Sequence, residues 1–543
     1  MYGTTGHADG GSSHRAQLRL GKVSRMSNGT TSVMDKVRGA GQTTVGRLLR
    51  EQARIRPSSV AVEGAGVKWT YLAFNDRVNR LANFLVSRGF SRGDRIAILS
   101  ENRSEYMELE FAAAKLGAVV AALNWRLAED EQIHCIALTK PRIGFVSPRF
   151  RDTLQDIDHC MEKVIVFGSE YESILSHAPN HEPDEEVDVE DPLVILYTSG
   201  TTGRAKGAVI SHRAFLARVS VFCMDYGMTR ADTFVAWPPM FHMASTDLSI
   251  GMLLIGGKVI QVDGFDVDRL VDIVTSERLG WLVLMPGVIE RFVEVLTTCS
   301  ITPKRILMVG AMADLLPRHQ ITEITRLLRS PYLNSFGSTE TGIPPCSGSL
   351  LLPGETHMSL SKTQSSFCEV RLVNSQRRLV PDGSPGELEI RGPTLFSGYW
   401  CADDVNEKEF RQGWFNMGDV FRRNSDGSYD FVDRSKYLIK SGGENIYPAE
   451  IERIMLEDDR VADAVVVRRS DPQWGEVPVA VVARKDVSLT EMELMQRCRK
   501  YLAGYKQPKQ IYFVPIEEMP RSTTGKIQRH EIEKWIIQKG NHL

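Results

Sequence analysis

Leu193-Val194-Ile195-Leu196-Tyr197-Thr198-Ser199-Gly200-Thr201-Thr202-Gly203-Arg204-Ala205-Lys206-Gly207 is the stretch from which the rest of this chain is best read. Its first five residues form a short apolar run, as expected of a strand buried on both faces. The run opens directly into a loop holding three glycines, four hydroxyl side chains and a lysine. Glycines bring backbone N–H groups close to an anion, and the hydroxyls and the lysine add donors, so a phosphate chain suits this loop. A plain surface turn would need fewer of these residues. A Walker loop requires Gly-Lys followed by Ser or Thr, whereas Lys206 is followed by Gly207, so a P-loop NTPase is the weaker nucleotide reading.

On either side of this stretch, short apolar strands alternate with segments of helical spacing. Strands are expected at Val60–Glu63, Lys68–Thr70, Arg95–Leu99, Ala118–Leu123, Ile143–Val146, Lys163–Phe167, Thr233–Ala236, Lys258–Gln261, Trp281–Met285 and Arg305–Met308. Helices are expected at Thr43–Arg54, Leu72–Arg88 and Ser104–Leu116. Such alternation predicts an α/β fold with largely parallel sheets covered on both faces. From Cys368 to Arg391 the apolar residues alternate singly around Pro-Asp-Gly and Ser-Pro-Gly turns, predicting a small antiparallel sheet or barrel. Beyond about residue 437, helices at Ala449–Leu456, Leu489–Leu502 and His530–Ile537 mix with strands at Val461–Arg468, Val477–Ala483 and Gln510–Pro515, a small α+β unit.

Composition bounds the function. With 543 residues the chain exceeds one ordinary core, and 42% apolar with 25% charged residues is globular usage. Lys and Arg number 66 against 68 Asp and Glu, a net charge of -2, which argues against nucleic acid as the main partner. No apolar run reaches the roughly 18 residues of a membrane span, so no integral membrane segment is expected. Eight cysteines stand far apart without metal-ligand spacing, and read as free thiols in a reducing compartment, with cytoplasmic location. Residues 1–33 are rich in Gly, Ser and Thr and carry four basic residues against Asp9. They lack a secretory core; an organellar transit peptide and an upstream start before Met26 or Met34 compete with the reading preferred here, a flexible tail over 1–40.

Tyr197 to Val209 closely resembles the phosphate loop of the adenylate-forming, or AMP-binding, superfamily, which includes acyl-CoA synthetases, peptide-synthetase adenylation domains and firefly-type luciferases. Further motifs follow in that family's order. Pro239-Met240-Phe241-His242 resembles its Pro-x-Phe-His element, and Asn334-Ser335-Phe336-Gly337-Ser338-Thr339-Glu340 its adenine motif. Gly413-Trp414-Phe415 with Gly418-Asp419 matches the ribose motif, Asp433-Arg434-Ser435-Lys436 the hinge, and Ser441-Gly442-Gly443-Glu444-Asn445 the loop beyond it. Pro520-Arg521-Ser522-Thr523-Thr524-Gly525-Lys526 resembles the catalytic-lysine motif.

The resemblance implies a large multilayer αβαβα N-terminal domain with a small antiparallel β subdomain over residues 41–434. It also implies a small mobile α+β C-terminal domain over 435–543, hinged near Lys436. It implies an ATP-dependent carboxylic acid:CoA ligase of the acyl-CoA synthetase branch, with ATP, Mg2+ and coenzyme A. The alternative is an acyl-AMP ligase that loads a carrier protein; a luciferase-like oxygenase and a silent nucleotide-binding scaffold stand further off. Lys526, Glu340, His242 and Thr198 are the implied catalytic residues, with Glu340 on the metal. Thr198, Ser199, Gly200, Thr201, Thr202, Gly203, Lys206, Gly310, Ala311, Asn334, Ser335, Phe336, Gly337, Thr339, Asp419, Arg434, Lys436, Gly442 and Gly443 are implied in nucleotide or CoA binding.

On residue chemistry alone, Phe336 reads more readily as core than as an adenine platform. Glu340 is a hard oxygen ligand suited to magnesium, and Asp419 with Arg434 can either bind ribose hydroxyls or form a plain ion pair. The two glycines after Ser441 suit either an ordinary turn or close passage of a thiol arm. His242 stands where amino-acid adenylation domains carry Asp, which argues against an amino acid substrate. Met240, Phe241, Met243, Met285, Met308 and Met312 suggest a hydrophobic acid, of medium chain or aryl type. The polar Thr246–Asp247 pair suggests a functionalised acyl chain, and Ala205 replaces the family's usual Pro. A homodimer is a further expectation.

Overall fold

The computed structural model describes residues 33–540 except 158, 200–203, 286, 300, 357–358 and 522–526. Two compact units separate at residue 42, and the larger spans Thr43–Leu543. Of the N-terminal tail expected over 1–40, residues 1–32 lie outside the described residues, and Val33–Gly41 is a helix rather than tail.

Two mainly parallel sheets dominate the larger unit. One has six strands in the order Lys163–Val166, Ile143–Val146, Arg95–Leu99, Val119–Ala122, Pro192–Ser199 and Ala205–Ser211, all parallel until the last, which is antiparallel. The other has eight, in the order Leu350–Leu351, Tyr332–Leu333, Arg305–Val309, Arg278–Leu282, Thr233–Ala236, Lys258–Gln261, Val60–Gly64 and Val67–Thr70. Its interior pairs are parallel and only its two edge strands are antiparallel.

Helices Ser104–Leu116, His212–Tyr226 and Met243–Ile255 form the shared layer between these sheets. Ser104–Leu116 is buried all round, Glu108, Glu110 and Lys115 included, as a helix between two apolar faces must be. Glu108 is answered by Arg77 at 2.7 Å and by the Tyr171 hydroxyl at 2.6 Å, while Lys115 meets Glu182 at 2.6 Å. Among the described residues Glu110 has no hydrogen-bond partner, and burial pushes its carboxyl well above the usual range.

Five antiparallel strands follow: Glu369–Val373, Pro385–Arg391, Phe410–Arg411, Trp414–Arg423 and Tyr429–Arg434. The last sheet joins Glu444–Ile446, Ile439–Ser441, Gly475–Arg484 and Val461–Asp471, with Ile511–Val514 added in parallel beside Gly475–Arg484. Separate apolar clusters cover its two faces, one under helices Pro448–Leu456 and Glu491–Tyr501, the other under Arg529–Gly540. Lys485 pairs with Glu290 at 3.1 Å, and His319 lies 3.5 Å from Asp459, so this layer rests against the eight-stranded sheet's helices.

The strand expected at Trp281–Met285 lies instead at Arg278–Leu282. Its paired register runs from Arg278 opposite Arg305 to Leu282 opposite Val309. Val283 and Leu284 are buried without belonging to the strand, so apolarity there reports burial and not ladder pairing. Among the described residues no helix is long and apolar enough to cross a membrane. All eight cysteines are free thiols.

Candidate nucleotide and acid site

The phosphate-loop stretch is a β-hairpin. Strand Pro192–Ser199 pairs antiparallel with Ala205–Ser211, and Thr198 stands opposite Lys206. Gly200, Thr201, Thr202 and Gly203 lie outside the described residues, between the paired Ser199 and Ala205. A strand, not a helix, therefore follows the loop, which separates it from a Walker loop in structure as well as in sequence.

A segment that sequence reasoning passed over joins this hairpin to the Glu340 turn. Residues 396–400 lie beside strand Ala205–Ser211: the Val209 N–H donates to Gly398 at 3.0 Å, Ser397 to Val209 at 2.8 Å and Trp400 to Gly207 at 2.8 Å. The same segment reaches the other motif, since the Phe396 N–H donates to the Glu340 carbonyl at 2.8 Å. Tyr399 completes the junction. Its hydroxyl donates to Glu340 Oε1 at 2.8 Å, and Lys206 Nζ lies 5.0 Å from its ring centre. Burial and the Glu340 charge raise the Tyr399 phenol, which remains a donor.

Asp419 and Arg434 face each other across antiparallel strands, with Arg434 Nε donating to Asp419 Oδ1 at 3.0 Å. Asp419 is buried and Arg434 half-buried. Asp419 raises the Arg434 guanidinium, which also stands within electrostatic reach of Glu340. Lys206, Tyr399, Glu340, Arg434 and Asp419 thus form one chain of interactions across two sheets. Half-buried Glu340 suits a magnesium ion that takes one carboxylate and otherwise binds phosphate oxygens and water. Among the described residues no group of three or more His, Cys, Asp or Glu side chains is placed to hold a metal ion.

The remaining residues of the adenine motif form its frame. Phe336 is only 4% exposed and packs its ring on Phe421 and Phe431, with centroids 4.6 and 5.4 Å away. Asn334 is wholly buried, donates to the Leu360 carbonyl at 2.8 Å and accepts from Lys362. The Ser335 hydroxyl accepts from the Met312 N–H at 3.2 Å, and Gly337 belongs to a two-stranded ribbon opposite Pro345.

Gly310 has φ +85, and a Cβ there would lie 2.0 Å from the Tyr332 ring. Ala311 exchanges hydrogen bonds with the Tyr332 hydroxyl, its N–H donating at 3.0 Å and its carbonyl accepting at 2.8 Å. The Thr339 carbonyl accepts from Arg218, a residue absent from the sequence expectations.

Arg218 corrects one of those expectations. Its guanidinium grips Asp247 at 2.9 and 3.2 Å and donates to the carbonyls of Thr394 and Thr339, both at 3.0 Å. Arg218 and Asp247 are both buried, and the Thr246 hydroxyl donates to the Met240 carbonyl. Neither polar group of the 246–247 pair is therefore offered to an acyl chain. Its use is structural, tying helix Met243–Ile255 to the Glu340 turn.

The methionines divide likewise, with Met240 and Met308 in the core and Met243, Met285 and Met312 only partly buried. His242 caps helix Met243–Ile255, its Nδ1 accepting from the Ala244 N–H at 3.2 Å.

Lys436 is exposed, in a short 3-10 turn over Ser435–Tyr437. Beside it, buried Asp433 accepts from the Ala449 N–H at 2.8 Å at the start of helix Pro448–Leu456, a direct tie across the expected hinge. Gly442 and Gly443, at φ +57 and +89, form the two-residue turn of a hairpin in which Ser441 faces Glu444. Two successive positive φ values are what a type I′ turn requires, so the turn alone accounts for both glycines. Trp474 covers Gly442, where a Cβ would lie 2.7 Å from the indole. Lys526 lies outside the described residues. The segment holding it is closed by the Gln528 N–H donating to the Pro520 carbonyl at 2.8 Å and by a bridge between Arg521 and Ile527.

With this geometry in place, likeness to known proteins becomes informative. Residues 49–400 match the AMP-binding enzyme family and residues 450–526 its C-terminal domain. The chain belongs to that family. It is 31% identical over 505 residues to an indoleacetate–CoA ligase of Aromatoleum aromaticum, covering 90% of this chain and 97% of the relative. It is also 31% identical to a feruloyl-CoA synthase of Amycolatopsis sp, over 89% of this chain and 97% of the relative. Among solved structures, ATP-bound MatB from Rhodopseudomonas palustris superposes with a TM-score of 0.78 at 26% identity, over 91% of this chain and 99% of that one.

Proposed function

We propose that this chain is an ATP-dependent carboxylic acid:CoA ligase acting on a hydrophobic acid, with an aryl acid favoured over a medium-chain one. The observation that carries the reading is the convergence of Lys206, Tyr399, Glu340, Arg434 and Asp419 beside the phosphate-loop hairpin, within a family whose relatives named above include ligases of indoleacetate and ferulate. Both acids carry a flat aromatic body. The half-buried thioethers of Met243, Met285 and Met312 supply polarizable contacts for such a shape. These relatives do not favour the carrier-protein alternative.

A carboxylate cannot acylate a thiol directly, because oxide would have to leave. In the proposed first step a carboxylate oxygen attacks the α-phosphorus of ATP, forming the acyl-phosphate bond and breaking the bond to pyrophosphate. The hairpin loop, from Thr198 through Gly203 to Lys206, holds the β- and γ-phosphates; Asp419 and Arg434 hold the ribose. Gly310, Ala311 and the Asn334–Thr339 frame wall the base. Lys526 meets the α-phosphate and carboxylate oxygens, where negative charge builds, and His242 lines the acid side. Bound at Glu340, magnesium would neutralise phosphate charge.

In the second step the CoA sulfur attacks the acyl carbonyl and AMP leaves. We assign the residues beyond Lys436 to a domain that turns between steps, withdrawing Lys526 and bringing the Gly442–Gly443 turn to the pantetheine arm. The eight free thiols support a reducing compartment such as the cytoplasm.

The test is pyrophosphate release from ATP and magnesium over aryl and aliphatic acids, with and without CoA. Expected is repeated turnover only with CoA, fastest with an aryl acid, yielding AMP and aryl-CoA by mass. A single burst that CoA does not relieve would overturn the CoA step in favour of a carrier protein.

A further inference from the structure

The ring of Tyr399 stands between two charged groups of opposite sign that come from distant parts of the chain. Its hydroxyl hydrogen-bonds Glu340 Oε1 at 2.8 Å, and its face lies 5.0 Å from Lys206 Nζ. Its main chain is held on both sides and its ring on one. Asn406 brackets its backbone, accepting from the Tyr399 N–H at 2.8 Å and donating to its carbonyl at 2.9 Å. Ala208 pairs with it across an antiparallel bridge, and the Phe396 ring packs edge-on at 4.9 Å. Such a frame exceeds what filling space requires, because a leucine would fill the same gap without an oriented hydroxyl.

We infer that Tyr399 is a positioning residue that sets the metal-binding carboxylate of Glu340 and the phosphate-binding ammonium of Lys206 as one unit. The inference rests on the proposed roles of those two residues. A phenol donating to Oε1 fixes the carboxylate plane and directs Oε2 toward a cation, so the rotamer is settled before the nucleotide arrives. The π face attracts an ammonium and holds the Lys206 stem over the ring, so the lysine loses less freedom when it meets phosphate. Hydroxyl and face act separately, and substitutions can separate them.

ATP binding to the full-length protein, measured by calorimetry with and without magnesium, tests this without relying on turnover. Tyr399→Phe keeps the face and removes the hydroxyl. It should raise the magnesium concentration needed for half-maximal ATP binding by about tenfold, the lower end for a hydrogen bond to a charged group. Magnesium-free ATP affinity should not change. Tyr399→Leu should show the same magnesium shift and, in addition, about threefold weaker magnesium-free ATP binding, from loss of a half-buried cation–π contact.

In a Glu340→Gln background, Tyr399→Phe should add nothing further. Wild-type magnesium dependence in Tyr399→Phe, or shifts that simply add in the double variant, would overturn the inference while leaving the ligase reading intact. Absence of magnesium-dependent ATP binding by the wild type would overturn both. Tyr399→Phe is the deciding variant, because it preserves the packing should Tyr399→Leu fold poorly.

Discussion

The region built on the two large sheets and the layer beyond Lys436 solve opposite problems. In the first, functional side chains come from far apart in sequence and are locked in place. Asp419 is buried against Arg434, Glu340 is held by Tyr399, and Arg218 ties the pocket helix to the Glu340 turn. In the second, the proposed catalytic lysine belongs to the segment between Arg521 and Ile527, and ties to the first region include Asp433 to Ala449, Lys485 to Glu290, His319 to Asp459 and Arg453 to the Phe431 carbonyl. The difference suits the proposed two-step reaction, in which binding is precise and the active site changes between steps. In the proposed reaction ATP is read by the first region, and the lysine that must withdraw belongs to the second.

Four substitutions break or sharpen this contrast. Lys526→Ala removes the charge that meets the transition state and should slow acyl-AMP formation about a thousandfold, by quenched-flow measurement. Thioester formation from supplied acyl-AMP should fall far less; equal loss in both would place Lys526 wrongly.

Arg218→Met leaves Asp247 buried without its partner and should cost about 3 kcal/mol in urea unfolding, whereas Arg218→Met combined with Asp247→Leu should recover most of it. A single variant as stable as wild type would mean that the pair does not hold helix Met243–Ile255 to the Glu340 turn.

Lys436→Pro stiffens the exposed turn between the two regions. It should slow thioester formation about tenfold, a difference of about 1.4 kcal/mol in barrier, and spare acyl-AMP formation. Loss of both half-reactions together would refute a hinge.

Glu110→Gln carries the smallest effect. Burial raises the folded-state Glu110 carboxyl above its unfolded value, so its contribution is intact below about pH 4.3 and is lost as pH rises through the folded value. The variant should therefore gain stability relative to wild type as pH rises from about 4.3 toward neutrality, by urea unfolding, and lose that advantage in acid. A difference independent of pH would assign the effect to packing.

Much of this was legible in the chain itself, for identifiable reasons. Arg95–Leu99, Ile143–Val146, Thr233–Ala236 and Lys258–Gln261 are strands over the very residues expected, because a parallel strand buried on both faces must be a continuous apolar run bounded by polar residues. Arg278–Leu282 was displaced because the strand opens on an arginine and includes Gly280, while apolar residues continue past its end.

The motif residues were found through resemblance, but their partners were not. Tyr399 is 59 positions from Glu340, and Arg218 is 29 from Asp247 and 121 from Thr339. No local period links residues so far apart, and Arg218 within an otherwise mixed helix carries no mark of burial. The Thr246–Asp247 pair was misread for the same reason, since its partner could not be seen. Only the Tyr-Trp pair after Gly398, two large rings in a turn-like stretch, offered a signal, and it went unread.

The hairpin that carries the phosphate loop belongs to the six-stranded parallel sheet, while Asp419 and Arg434 belong to the antiparallel sheet of Glu369–Arg434. In the proposed reaction, ATP spans both. Once the bond at the α-phosphorus breaks, pyrophosphate is left with the hairpin loop and the ribose with Asp419 and Arg434. In the proposed reaction the two products can then depart in sequence, pyrophosphate first, while Asp419 and Arg434 keep the adenylate until the thiol arrives. Commitment to the acyl-adenylate is thus a matter of which sheet lets go first.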